Sequence, residues 1–300
     1  MTLASRPAAR VWAAALAGTL TLAVTACAPS DSSSGGGTPA PSSGKSATAD
    51  SCSVDSLKLV TPGTLTVATD QPAYDPWFSN NDPTNGKGFE SAVAYAVAKK
   101  LGFSKQQVKW VVEPFNKSYA PGSKDFDFDI NQISITPARA KVVDFSTGYY
   151  RAAQAVIVMN NSKYAHVTTL AGLKGAHIGA QIGTTSLLAA QNDIKPSSQV
   201  AVFDDTNAAK QALLNGQVDA IVADLPTAFY ITAAEIKGSK ILGQFQTTSG
   251  HPEEFGMLFE KGNPLVGCVD KAIGALKRNG ALHRIEKQWL SSDVHVPELS

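Results

Sequence analysis

The stretch "GTLTVATDQPAYDPWFSNNDPTNGKGFESAVAYAVAKKLGF", residues 63–103, decides the fold class. Its first eight residues alternate and are rich in Thr and Val, the pattern of a strand that stops at Asp70. A loop rich in Pro, Asn, Asp and Gly follows. Phe89, Val93, Ala96, Val97 and Leu101 then recur at helical spacing, and Gly102 is a stop signal. A strand opening through a loop into a helix is the building unit of an α/β protein.

The unit recurs at "AHIGAQIGTTSLLAAQN", residues 176–192, which reads strand, Gly-Thr-Thr turn, helix. Around it "QVKWVVEPF", "FDFDINQISI", "AQAVIVMN", "QVAVFDD", "QVDAIVADLP" and "FGMLFEKGNP" carry strand patterns. "TTLAGLKG" reads as a short helix. "NAAKQALLNG" is a longer one with Asn207 as cap and Gly216 as stop, and "LVGCVDKAIGALKRNG" and "ALHRIEKQWL" are two more. Alternation of this kind predicts mainly parallel sheets. Two separate strand–turn–helix openings, near Asp70 and near Thr184, predict two sheets and two lobes. No repeat period is visible.

The chain has 300 residues, 43% hydrophobic and 17% charged, so it can bury a sizeable core. Its 26 basic and 25 acidic residues leave no field for nucleic acid or a membrane surface. The five histidines show no metal-ligand spacing, and no HExxH, GxSxG or CxxC occurs. No catalytic residue, metal or cofactor is expected. "GAQIGTTS" lacks the Gly-Lys-Ser/Thr ending of a phosphate loop.

The N-terminal region is a separate device. Arg6 and Arg10 precede an apolar run, residues 11–24, too short for a comfortable membrane span. The following "VTAC" resembles a lipobox, which predicts a signal peptide over 1–26 and lipidation of Cys27; the alternative is an ordinary secretion signal. Residues 28–50 are Ser/Gly/Pro-rich and aperiodic, so 27–54 is predicted to be a disordered linker. The remaining pair, Cys52 and Cys268, reads in an exported protein as a disulfide, or otherwise as two buried thiols.

Ligands of open α/β sheets sit at the carboxyl ends of strands. The polar residues there are Asp70, then Ser134, Thr136 and Arg139, then Thr184 and Thr185, and Asp224. An arginine, hydroxyls and the N–H groups of a helix start suit a carboxylate. An aspartate suits an ammonium. Together they describe an α-amino acid. Each has a plainer alternative: Arg139 pairs with Asp144 at the surface, the threonines start a helix, and Asp224 caps the segment after Pro226.

"GTLTVATD", "GFESAVAYAVAKKLG", "ISITPARAKVVDFSTGYY", "LAGLKGAHIGAQIGTTS", "LLNGQVDAIVADLPTAFY", "EEFGMLFEKGNP" and "KRNGALHRIEKQWL" occur in this order over about residues 60–290. In this order they resemble the family 3 extracellular solute-binding proteins, the polar amino-acid receptors of ABC importers. The resemblance implies a two-lobed, type II periplasmic-binding-protein-like α/β fold with two crossover strands as hinge. Lobe one would be 55–150 plus 252–300 and lobe two 151–251. Arg139 would grip the α-carboxylate with Ser134 and Thr185 assisting, and Asp224 would take the α-ammonium. Tyr74 and Phe115 fall at the aromatic walls, as does Trp77, which reads equally as core. Asp70 falls where receptors for basic side chains keep an acid. Asn131 and Gln132 replace the small residues usual before the "SIT" segment, and Gln181 stands at a position that helps choose the ligand. These amides favour a hydrogen-bonding side chain. "YAPGSKDFDFD" departs from the family's usual helix. The implied partners are a free amino acid and a permease, with membrane contact through the lipid anchor only. The protein would act as an extracytoplasmic, lipid-anchored monomer. A dehydratase on the same fold, acting on a prephenate-like acid, is the enzymatic alternative; Glu113 is the spare carboxylate it would need.

Overall fold

The computed structural model describes residues 52–247, 252–290 and 296–300. The signal peptide, Cys27 and most of the linker lie outside the described residues. The first sheet contains β1 (Leu65–Thr69), β2 (Val108–Val112), β3 (Phe128–Asp129), β4 (Asp144–Phe145) and, returning late in the chain, β12 (Leu258–Phe259), in the order β2-β1-β3-β12-β4. β1 is parallel to β2 and β3, while β12 runs antiparallel between β3 and β4. All five residues of β1 are buried, as expected of a strand covered on both faces.

Two short strands leave this sheet side by side. β5 (Tyr150–Ala152) pairs antiparallel with β11 (Glu253–Phe255) and carries the chain into and out of the second sheet. That sheet contains β6 (Gln154–Met159), β7 (Ile178–Gln181), β8 (Ala201–Phe203), β9 (Ala220–Asp224) and β10 (Ser239–Phe245), in the order β10-β6-β9-β7-β8. The fold is therefore two α/β lobes, each on its own sheet.

Helix α1 (Phe89–Lys100) covers the first sheet with Phe89, Val93 and Val97. Two four-residue helices, α2 (Phe115–Ser118) and α3 (Pro137–Ala140), begin just past strands of that sheet or its loops. In the second lobe α4 (Thr185–Ala189), α5 (Thr206–Leu214) and α6 (Leu225–Tyr230) follow β7, β8 and β9 directly. Helices α7 (Val266–Arg278) and α8 (Ala281–Leu290) return to the first core through Val269, Ile273, Leu276 and Leu282.

Several expectations need correction. The sheets are not mainly parallel, since the pairings of β12 and of β6 are antiparallel. Helix α5 is capped by Asp205, which accepts Ala208 N–H, and not by Asn207. "FDFDINQISI" forms only the two-residue β3 and an isolated bridge from Ser134 to Phe255. Between them Gln132 takes φ 47°, a left-handed conformation that breaks an extended run. The linker stops short of residue 54. Cys52 is joined to Cys268 with Cα atoms 5.5 Å apart, and Val54 and Leu57 pack on the first core. The last residues, placed with lobe one, belong to the second sheet. Gln244 N–H donates to Pro297 O (2.8 Å), Leu299 N–H donates to Gln244 O (2.8 Å), and Leu299 joins the core of Leu242 and Phe245. Gly243 makes this possible, since a Cβ there would stand 2.6 Å from Leu299 Cγ.

Candidate functional site

Asp70 just after β1, Gln181 at the end of β7 and Asp224 at the end of β9 face one cavity of about 60 Å³ between the lobes. Eight of the ten predicted ligand residues line it: Asp70, Tyr74, Phe115, Gln132, Gln181, Thr184, Thr185 and Asp224. Asn131, Ser186, Thr206 and Thr227 line it too.

Arg139 and Ser134 do not reach that lining. Arg139 lies behind it, only 8% exposed. Thr136 caps α3 by accepting Arg139 N–H, which turns the arginine inward. Its Nη1 donates to Ser134 O (2.8 Å) and its Nη2 to Gly183 O (2.9 Å), one carbonyl from each lobe. The guanidinium carbon sits 4.7 Å from the centre of the Tyr119 ring and 5.5 Å from that of Phe115. Burial pulls its pKa down, while Tyr119, Glu253 and Asp224 pull it up. Gly183, at φ 75°, must be glycine, because a Cβ would run into Asn116 Oδ1 and Tyr119 OH. The surface pairing of Arg139 with Asp144 is not made. Asp144 is held by Lys261 Nζ (2.7 Å) and Gly262 N–H (2.6 Å), which lower its pKa.

Asp224 accepts from Gln154 Nε2 at 2.9 Å. Burial and then Glu253 push its carboxyl well above the usual range. Gln154, fully buried at the start of β6, also donates to Glu253 Oε2 (2.9 Å) and accepts from Ser186 Oγ (2.6 Å). Glu253, on the returning hinge strand, accepts from Ser134 Oγ at 2.5 Å, and Ser134 Oγ lies 3.2 Å from Thr185 Oγ1. One polar network thus joins the hinge to the floor of the cleft.

Thr184 does cap α4, accepting Leu187 N–H (3.1 Å) and donating to Gln181 O (2.7 Å). Gln181 Oε1 accepts from Thr206 Oγ1 (2.8 Å). Asp70 is raised by burial, with Asp205 adding to it, while the N–H of its neighbour Gln71, at 2.7 Å, and that of Phe115 act the other way. Trp77 is core, fully buried, its Nε1 donating to Thr227 Oγ1 (2.8 Å).

Sequence reasoning missed three buried carboxyls around the cleft: Glu90, Asp129 and Glu253. It named Glu113, which does not line the cavity. Glu90 carried a signal, since it falls on the helical stripe of Ala94, Val97 and Leu101, all buried. Glu253 carried none, because its burial depends on the hinge pairing with Ala152. Among the described residues no cluster of His, Cys, Asp or Glu could hold a metal ion.

Three amides, several hydroxyls and two carboxyls line one interlobe cavity with a buried cation behind it, a donor and acceptor set that suits a small polar ligand. The model of the bacterial extracellular solute-binding proteins, family 3, matches residues 65–292, and the chain belongs to that family. The chain is 29% identical over 241 residues to the L-cystine-binding protein TcyJ of Escherichia coli K12, covering 79% of this chain and 86% of that protein. It is 29% identical over 223 residues to the ABC transporter glutamine-binding protein GlnH of Bacillus subtilis, covering 72% and 78%. Among solved structures, the ancestral amino acid-binding protein AncCDT-1, a precursor of cyclohexadienyl dehydratase, aligns with a TM-score of 0.63 and 28% identity, covering 76% of this chain and 96% of that one.

Proposed function

We propose that this chain is an extracytoplasmic receptor that captures a polar α-amino acid by hinge closure and delivers it to an ABC permease. The observation that carries the reading is the convergence of Asp224, Thr185, Gln132 and Asp70 on one cavity with Arg139 directly behind it. The α-carboxylate goes to Arg139, Ser134 and Thr185, and the α-ammonium to Asp224. Arg139 already spans the lobes through Ser134 O and Gly183 O, so a carboxylate gripped there favours the closed state. Lobe one is 55–150 plus 252–290, and lobe two is 151–251 with residues 296–300 docked on it. Cys27 carries the lipid that holds this monomer at the outer face of the cell membrane.

Thermal-shift screening against the twenty common amino acids tests this, because a ligand at 100 times its Kd adds about 2.7 kcal/mol. Stabilisation by one or a few of them without chemical change is the expected result. Turnover of prephenate with no amino-acid stabilisation would make the protein an enzyme of the dehydratase type.

A further inference from the structure

Glu90 is fully buried on α1, and the α-amino and α-carboxylate contacts proposed above make no use of it. Its carboxylate gathers three donors. Oε1 accepts Gln132 N–H at 2.7 Å and the Tyr149 hydroxyl, and Oε2 accepts Gln132 Nε2. Gln132 lines the cavity, and its left-handed φ of 47° is a strained conformation for a residue with a Cβ. Beside it Asn131, 7% exposed and also lining the cavity, has an Nδ2 with no protein partner. Tyr149 immediately precedes the hinge strand β5. One carboxylate therefore fastens the floor of the cleft to the entrance of the hinge.

We propose that Glu90 is a positioning residue of the ligand cleft, whose ionised carboxylate grips Gln132 by its backbone and side-chain N–H groups together. The inference rests on the amino-acid receptor reading. An ionised carboxylate has acceptors only, and so matches three donors. A proton, which Oε1 can donate to the Tyr149 oxygen, turns charge-assisted bonds to Gln132 into neutral ones of about half the strength. The tether of residues 131–132 then loosens. The titratable groups facing Glu90 are Tyr149, Asp129 and Asp224, all of them acids. Burial raises its pKa to about 7, so the change falls in the neutral range. An ammonium arriving at Asp224, which feels the charge of Glu90, favours the ionised form. Ligand binding accordingly strengthens as pH rises through neutrality.

Calorimetric titration of the mature protein with L-glutamine, L-arginine and L-cystine, from pH 5.5 to 8.5, tests the proposal. Wild type is expected to bind its ligand about tenfold more tightly at the upper end. Glu90→Gln, which mimics the protonated acid, is expected to lose most of this slope and stay near the low-pH affinity, the remainder belonging to Asp224, and Glu90→Asp to keep part of it. Equal slopes in wild type and Glu90→Gln, or equal affinities at pH 8.5, overturn the proposal. The side-chain amide of Gln132, followed by nitrogen-15 NMR in ligand-free wild type, needs neither a variant nor a ligand. Its signal should titrate with a midpoint near neutrality, and a signal that does not move overturns the proposal. Binding of no amino acid, with Gln132 still titrating, would sink the receptor reading and leave the Glu90–Gln132 linkage standing.

Discussion

Replacing Arg139 by methionine removes a cation that the fold has taken out of water. At 8% exposure, with Nη1 on Ser134 O and Nη2 on Gly183 O, the guanidinium is desolvated before any ligand is considered. A ligand carboxylate that met methionine there would be buried without its counter-charge. Truncating one side of a buried charged pair typically costs about 2–5 kcal/mol, roughly 30-fold to several-thousand-fold in affinity. Arg139→Lys should recover only part, because an ammonium cannot present the planar fork or stack on Tyr119 and Phe115. The ligand-free protein is affected too, because both guanidinium bonds to carbonyls are made without a ligand. One buried and one half-buried carbonyl lose a charged donor, at about 1–3 kcal/mol. For a body of this size that is a fall of roughly 2–12 °C in Tm. Calorimetry with the amino acid found by screening gives the first number, and a melting curve without ligand gives the second. A loss of affinity below about threefold, or about 0.7 kcal/mol, would mean that the carboxylate goes elsewhere, and the roles of Ser134 and Thr185 would fall with it.

The Cys52–Cys268 bridge closes a loop of 216 residues, so Cys52→Ser with Cys268→Ser should lose up to about 5 kcal/mol by chain entropy; peptide mapping of unreduced protein should find the linked pair, and two alkylatable thiols would refute it. Cys27 is expected to be diacylated, and intact-mass analysis of the native N-terminus decides it, an unmodified terminus at any other residue being the contrary result. Leu299→Ala should destabilise by about 2–5 kcal/mol, as for a buried leucine, because Leu299 is 5% exposed in the second core; a surface-like change under 0.5 kcal/mol would show that residues 296–300 do not dock there. Glu90 is raised from its usual 4.5 to about 7, so the stability tied to its protonated form is complete below about pH 4.5 and lost as pH rises through 7. That loss is about 3 kcal/mol, and Glu90→Gln should therefore melt higher than wild type at pH 8 while binding more weakly, which a pH series of melting curves can contradict.

What the sequence determined by itself were the features carried by local pattern. The alternation of "GTLTVATD" and the helical stripe from Phe89 to Leu101 became β1 and α1, because period and propensity act within a few residues. The strand ends at Asp70, Gln181 and Asp224 were legible for the same reason, and the topology of an open α/β sheet brings such ends to one cavity. Only the tertiary structure decided the rest. Asp144 was sequence-near to Arg139, but Lys261, 117 residues further on, holds it instead. The docking of residues 296–300 onto β10 depends on the absence of a side chain at Gly243, which no local pattern announces. Glu253 stands in a strand pattern as an ordinary polar residue, and the place of Glu90 on the apolar stripe of α1 does not name its partners. Their character comes from burial and from donors 42 to 119 residues away in the chain, at Gln132, Tyr149, Gln154 and Ser134. Charge in a protein takes its meaning from desolvation and partners, and both are properties of the assembled fold.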